Sequence, residues 1–399
     1  MARRYRIGEQ IIDDDDPRFQ GLVTAAYHAK IRPSCLCRSP TAAMYIARIG
    51  DQLIVKRMPL TGSGHDPECP SYEPPYELSG LGPLIGSAIQ ADGADGMIRL
   101  KLDFALTKTG SRMVATSEEA ATGPVRNEAG KLSLRALLHY LWYQGGLTEW
   151  TARWAGKRHW WQVRNHLMEA AATITVKGGG LADRLFVPEP FRADDKAAIE
   201  LRRATALADI HMTSAPQKLM LLVGEVKDFA TARSGRRIII KHMPDFPLML
   251  EDSSFRRLQA RYKAAFELWE ANQALHLIAI ATFGAAASGV VSVEEIALMT
   301  ATEQWIPIES VYEERLVERL ARLSLKSVKG LRFDLPANVP VASATLPQHC
   351  PLPVALYIVP PAADDAFETM LAGMISARPD MEPWVWRVAS GDMPDLPVA

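Results

Sequence analysis

Between Ser34 and Ser71 the sequence places Cys35-Leu36-Cys37, a strand-like run, and then His65-Asp66-Pro67-Glu68-Cys69. Three thiols and one imidazole in two closely spaced pairs make a complete tetrahedral ligand set for Zn²⁺, because thiolate sulfur and neutral imidazole nitrogen suit its borderline softness. A pair one residue apart can bind from a tight turn. His65 and Cys69, four apart, reach the same side of a helical turn or of a loop turned back by Pro67. With Cys35, Cys37, His65 and Cys69 all supplied by protein, the site would be structural and closed rather than catalytic and open. Buried free thiols, or a redox or disulfide pair, are the competing readings. A Cys35–Cys37 disulfide would be strained by its short separation, and three of the chain's four cysteines fall in this one window, so the spacing favours zinc. Cys350, beside His349, has no second ligand pair nearby and reads as a spare thiol.

A second chemical block runs from 131 to 189. Between Lys131 and Arg184, Lys131, Arg135, Arg153, Lys157, Arg158, Arg164, Lys177 and Arg184 outnumber Glu149, Glu169 and Asp183, and Trp142, Trp150, Trp154, Trp160 and Trp161 lie among them. Ser133 caps an expected helix through Leu134-Leu137-Leu138-Leu141, a short second helix spans Trp150 to Trp154, and a third covers His159 to Ala172. The strands Thr173–Val176 and Leu185–Val187 then straddle Lys177-Gly178-Gly179-Gly180. Three helices and a glycine-turned hairpin follow the order of a winged helix-turn-helix, which lays its third helix in a DNA major groove. On that reading Lys157, Arg158, Arg164 and Lys177 meet phosphates, and Trp160 stacks on a base or a partner. Adjacent Trp160 and Trp161 cannot both face one core.

The third candidate is enzymatic. Glu225-Val226-Lys227 spells the Glu-x-Lys element of restriction-endonuclease-like folds, with Asp209 upstream as a second Mg²⁺ ligand and the lysine assisting an attacking water. Against it, the next run, Arg236 to Lys241, reads as another strand where a nuclease core has a helix, and charged alternation on a half-exposed sheet explains the pair. Towards the C-terminus the order of helix, three strands, helix and strand again follows the restriction-endonuclease-like core. The strands Val341–Thr345 and Val354–Val359 carry no acids, however, and Asp334 alone would not hold a metal.

The elements that position these residues belong to a soluble α+β chain of 399 residues with 48 % hydrophobic and 23 % charged residues. A formal net charge of −1 provides no global attraction for nucleic acid, so any such binding needs a local basic surface. Met44 to Arg57 reads as a hairpin turning at Gly50-Asp51, which gives a knuckle, a hairpin and a second knuckle. Arg3, Arg4 and Arg6 and the run Asp13 to Asp16 read as solvated surface and turn. Strands are expected at Met97–Leu106 and Gly110–Ala115, a polar linker over 117–130, an amphipathic helix over Ser253–Ala271 with basic residues on one face, and a buried strand over Leu275–Phe283. The division that follows is a zinc-knuckle, β-rich domain (1–130), a winged-helix-like domain (131–190) and a C-terminal α/β domain (191–399). Few cysteines, no leader signature and no apolar span long enough for a membrane point to the cytoplasm.

Cys35-x-Cys37, Lys56-Arg57-Met58-Pro59 with Thr61-Gly62, Cys69-Pro70-Ser71-Tyr72 and Val328-Lys329-Gly330-Leu331-Arg332 together resemble the bacterial domain-of-unknown-function 1173 family. That family has three cysteines near its N-terminus and occurs on proteobacterial plasmids and integrative elements. The resemblance implies no activity, but it implies a setting of DNA handling or conjugation. The expected function is therefore non-catalytic, zinc-containing nucleic-acid binding, with DNA the first candidate, in maintenance or transfer of a mobile element beside conjugation or plasmid-maintenance proteins. The alternatives are a metal-dependent nuclease using Glu225 and Lys227, and a protein-interaction scaffold with an exposed Trp surface.

Overall fold

The computed structural model describes residues 3–49, 52–92, 96–108, 130–211, 217–286 and 288–397. The expected strand at Gly110–Ala115 lies outside them, as does almost all of the 117–130 linker. The chain divides into two compact units, one of residues 1–99, 326–330 and 338–399, the other of residues 100–325 and 331–337. The stretch expected as a single 191–399 domain contributes to both.

In the first unit an N-terminal antiparallel sheet runs in the order Gln10–Asp13, Arg4–Ile7, Ser34–Cys35, Ala42–Ile49, Gln52–Arg57. Arg4–Ile7 alternates exposed and buried, so Tyr5 and Ile7 face a core shared with Ile12, Met44 and Val55. The helix Phe19–Ala29 adds Val23 and Ala26 to it. The arginines and aspartates expected as loose surface face each other across the first hairpin, where Arg3 pairs with Asp14 at 2.7 Å and Arg4 with Asp13 at 3.0 Å.

The unit's C-terminal part contains Ser327–Lys329, Ala342–Leu346 and Val354–Val359 in antiparallel order, then the helix Asp365–Ser376 and the parallel strand Glu382–Arg387. Phe367 and Leu371 of the helix cover Ala342, Ala355 and Tyr357. The expected order of strands and helix is present, but the helix meant to lead it, Val311–Arg322, belongs to the second unit. The sequence Val328–Leu335 reads as one strand, but the strand ends at Lys329, and Phe333 beyond it takes φ 52°. Gly330 follows the first strand because a Cβ there would sit 1.9 Å from the Ala342 carbonyl oxygen.

The second unit is built on five strands. Met220–Thr231, Arg236–Ile240 and Leu248–Leu250 form an antiparallel meander. The helices Asp252–Arg261 and Lys263–Ala271 follow, and then the hairpin His276–Ala285 and Val291–Ala301. The sheet closes on itself. The fourth strand pairs antiparallel with the first half of the first, from Met220↔Phe283 to Glu225↔Ile278, and the fifth runs parallel to the third through the bridge Met249↔Ser292. Strand order 1-2-3-5-4-1, with helix between the third and fourth strands, is the connectivity of the OB barrel, a five-stranded and partly open Greek-key barrel.

The first strand serves both halves of the barrel by bending at a bulge between Val226 and Asp228. At Gly224 a Cβ would lie 2.8 Å from Ile240 Cγ2, so any larger residue would make Ile240 shift where the second strand closes over the first. Phe229 meets Phe255 and Phe266 with ring centroids 5.3 and 5.4 Å apart, which seats the two helices under the barrel. The expected single helix over Ser253–Ala271 breaks at Tyr262. Its basic residues Arg256, Arg257 and Arg261 stay exposed. The almost wholly buried helix Leu134–Gln144 packs on the fourth and fifth strands.

Candidate metal centre and candidate nucleic-acid interface

Cys35 ends the middle strand of the N-terminal sheet, and Cys37 follows on the turn out of it. His65 leaves the short turn Gly62–Gly64, and the loop bends back through the Cys69 N–H bond to the Asp66 carbonyl, 2.8 Å, to bring Cys69 round. The four donor atoms all lie within 4.8 Å of one another, close enough to hold a metal ion. Cys35 Sγ and Cys69 Sγ are 3.8 Å apart, and His65 Nδ1 is 3.4 Å from Cys37 Sγ and 3.8 Å from Cys69 Sγ. A tetrahedral Zn²⁺ with bonds of about 2.3 Å to sulfur and 2.05 Å to nitrogen has S···S edges of about 3.8 Å and S···N edges of about 3.6 Å, and these three separations lie close to those edges.

The chemistry of the donors agrees with their spacing. His65 is fully buried, and Nδ1 is the ring nitrogen that faces the Cys37 and Cys69 sulfurs. The Asp66 and Ser71 backbone N–H groups donate to Cys37 Sγ and Cys69 Sγ at 3.4 Å, which supports thiolates. A hydrogen bond from Cys35 pulls the Cys69 thiol down to about 3. The same bond, together with burial, pushes Cys35 up, and burial raises Cys37. Protein alone thus favours one thiolate, and a bound cation is what makes three compatible. Among the described residues this is the one cluster of three or more such donors. Cys350 is an exposed free thiol, as expected.

The basic, Trp-rich block is arranged differently from a winged helix. Ile174–Val176 turns at once to pair with Gly179–Gly180, where Gly178 and Gly179 take φ 101° and 137°. Leu185–Phe186 instead runs parallel to the first barrel strand at Leu221 and Leu222. The two expected wing strands therefore do not pair with each other, and the expected second helix is the single turn Ala152–Trp154.

Arg158 is 5 % exposed and donates to the Leu147 carbonyl at 3.1 Å and the Glu149 carbonyl at 2.6 Å. It is an internal strut, not a phosphate contact, and burial lowers its pKa to about 10. Trp160 is also interior: its Nε1 donates to the Pro188 carbonyl at 2.8 Å and its ring stacks on His242. Trp161 is the exposed member of the pair, at 54 %. Lys157 and Lys177 are exposed, while Arg164 donates Nε to the Val187 carbonyl at 3.0 Å.

The nuclease triad is not assembled. Asp209 pairs with Lys218 at an exposed position, 2.9 Å. Glu225 points inward, where Lys241 Nζ donates to its Oε1 at 2.8 Å and His276 Nδ1 lies 2.7 Å from the same oxygen. His276 in turn stacks on Trp305 with centroids 3.7 Å apart. Burial opposes the Glu225 charge, but the bonds from His276 and Lys241 prevail and hold its carboxyl below the ordinary value. Lys227, just past it, is exposed because the bulge breaks the alternation that would have put both side chains on one side. Asp334, left over by the sequence reading, accepts from the Ser133 backbone N–H at 3.2 Å and from its hydroxyl, fixing the start of the Leu134–Gln144 helix.

What sequence reasoning missed is the barrel surface. On the sheet of its first three strands, Ala230 lies opposite Arg237, Arg237 opposite Met249, and Asp228 opposite Ile239. Lys227, Arg233 and Arg237 are exposed there or on the adjoining loop, and none has a side-chain partner among the described residues. Ile239 and Met249 are half-buried beside them.

Donor cluster and barrel together define a mixed α+β protein with four side chains close enough to hold a metal ion in one unit and a barrel of OB connectivity in the other. The chain belongs to the DUF1173 family, described as proteins of unknown function, whose model matches residues 5–389. Comparison with curated proteins and with solved structures returned no match. No helix among the described residues is long and apolar enough to cross a membrane.

Proposed function

We propose that this protein is a non-catalytic nucleic-acid-binding protein that grips its ligand on the barrel, with Cys35, Cys37, His65 and Cys69 holding a structural Zn²⁺. The observation that carries the reading is the 1-2-3-5-4-1 barrel bearing the free cations Lys227, Arg233 and Arg237 around its first two strands. Barrels of this connectivity bind oligonucleotides across the second and third strands and the loop between the first and second. The cations would meet phosphates while Ile239 and Met249 offer an apolar floor to unpaired bases. Single-stranded DNA is the first ligand to try. Lys157 and Lys177 are further candidate phosphate contacts. The family resemblance supplies the setting, a cytoplasmic role in plasmid or integrative-element maintenance or transfer.

The test is fluorescence anisotropy of the full chain with a labelled single strand across a salt series. Binding weakens as salt rises, with a slope of about −0.7 in log K against log salt per phosphate contact. Replacing Lys227, Arg233 and Arg237 together by Gln lowers that slope by about 2. An absence of binding at low salt, or an unchanged slope in the triple variant, overturns the proposal.

A further inference from the structure

Beside the barrel, in the same unit, lies a cavity of about 310 Å³ that the nucleic-acid reading does not use. That is the low end of the size range of small-molecule sites. Met168, Phe186, Ile199, Met220 and Met243 give it apolar walls, and Arg164 and His242 also line it.

The polar groups have unequal obligations. Arg202 is bound by Glu189 and Asp195, and Arg203 is held by Asp245 through two bonds of 3.1 and 2.5 Å. Arg164 uses only its Nε, on the Val187 carbonyl, and its two terminal nitrogens have no protein partner among the described residues. His242 accepts the Phe191 N–H at Nδ1, 3.3 Å, which puts its ring proton on Nε2, a second free donor. Burial lowers the His242 pKa, so the ring stays neutral and gives a hydrogen bond rather than a charge. Glu189 is committed to Arg202. Asp183 is exposed, so water screens its charge. The cavity therefore has one unspent cation, one neutral donor and an apolar body.

We propose that this cavity binds one small organic anion, a carboxylate or phosphate carried on an apolar group, with Arg164 holding the charge. A guanidinium fork matches either oxyanion, and the methionine-rich wall accepts varied apolar shapes. Bare phosphate would leave the apolar wall unfilled, and a neutral molecule of the same shape would leave Arg164 unpaired.

Isothermal titration of the full chain with hexanoate, phenyl phosphate, inorganic phosphate and hexanol tests this. One-to-one binding is expected for hexanoate, phenyl phosphate or both, and the better of the two identifies the oxyanion. Inorganic phosphate and hexanol should bind at least about tenfold more weakly, and Arg164→Gln should weaken the organic anion about 10- to 100-fold while leaving hexanol unchanged. Arg164→Lys, which keeps the charge, should recover part of the loss. Met168→Trp, which fills the cavity, should abolish binding in protein whose circular dichroism matches the parent. Failure of both organic anions to bind overturns the proposal. So does hexanol binding as well as hexanoate, or binding unchanged in both Arg164→Gln and Met168→Trp. None of these results depends on the nucleic-acid reading, since the barrel cations lie outside the cavity.

Discussion

If the Cys35, Cys37, His65 and Cys69 cluster holds zinc, Cys69→Ser protein, or parent protein stripped by a chelator, should lose order in one part of one unit. A structural Zn²⁺ contributes about 10–16 kcal/mol in zinc-finger peptides, against about 5–15 kcal/mol for the net stability of a domain. Losing it is comparable to the net stability of a whole domain, so the effect should be large and centred on the segments the ligands tie together. The location follows from the pairing: Ser34–Cys35 is the middle strand that joins Arg4–Ile7 to Ala42–Ile49, and Cys35 and Cys69 sit in the core with Tyr5, Met44 and Val55. The segment from Gly62 to Tyr72 is held back by short turns and by its two ligands, with no strand of its own. Metal analysis of purified protein should give stoichiometric zinc, lost in Cys69→Ser. Hydrogen exchange read segment by segment should show protection collapsing over 34–37 and 62–72 and spreading into 42–57. The barrel strands, with their own core, should keep theirs. Metal-free protein with unchanged exchange over 34–72 would refute the reasoning, as would zinc content unaffected by the substitution.

Three further substitutions probe the framework. Gly224→Ala drives a Cβ to 2.8 Å from Ile240 Cγ2, an overpacking that costs about 1–3 kcal/mol. The melting temperature should fall, and the added Ile240→Ala change should cost less in that background than alone; additive losses would argue against the close approach. Gly330→Ala meets the Ala342 backbone carbonyl at 1.9 Å, which no side-chain rotation relieves, so it should be the more damaging of the two in chemical denaturation. Glu225→Gln removes a buried carboxylate bonded to Lys241 and His276 and should cost about 2 kcal/mol near pH 7. Because this carboxyl is held below its ordinary 4.5, its contribution is present above that pH and lost as pH falls through the folded-state value. The gap between parent and variant should therefore close on acidification, and a gap that widens would contradict the assigned pairing.

What the sequence revealed and what it hid divide along the range of the interactions. The gathering of the four donors was legible because both pairs are local, each within five residues, and the intervening hairpin announces itself by alternation. Most barrel elements were legible one at a time: the runs 218–227, 236–241 and 275–283 as strands, and 253–271 as helix. Leu248–Leu250 is too short to have a period, and the fifth strand, Val291–Ala301, reads over its second half equally as a short strand or a helix. Closure was not legible, because it lies in the pairing of the first strand with the fourth and of the third with the fifth, which no local pattern specifies. The same limit explains the wing. Ile174–Val176 and Leu185–Phe186 are both strand-like, but whether they choose each other depends on a barrel strand more than thirty residues away in sequence. Arg158 and Glu225 show the other face of the problem. A charge in a basic or acidic motif reads as surface chemistry, yet carbonyls from Leu147 and Glu149 draw Arg158 inward, and a bulge turns Glu225 in while leaving Lys227 out. Motif spacing is therefore most informative where it brings residues of matching chemistry together, as it does Cys35, Cys37, His65 and Cys69. A lone charge is a candidate only where it lacks a carboxylate partner among the described residues, as Lys227, Arg233 and Arg237 do on the barrel and Arg164 does in its cavity, where its Nε meets only the Val187 carbonyl.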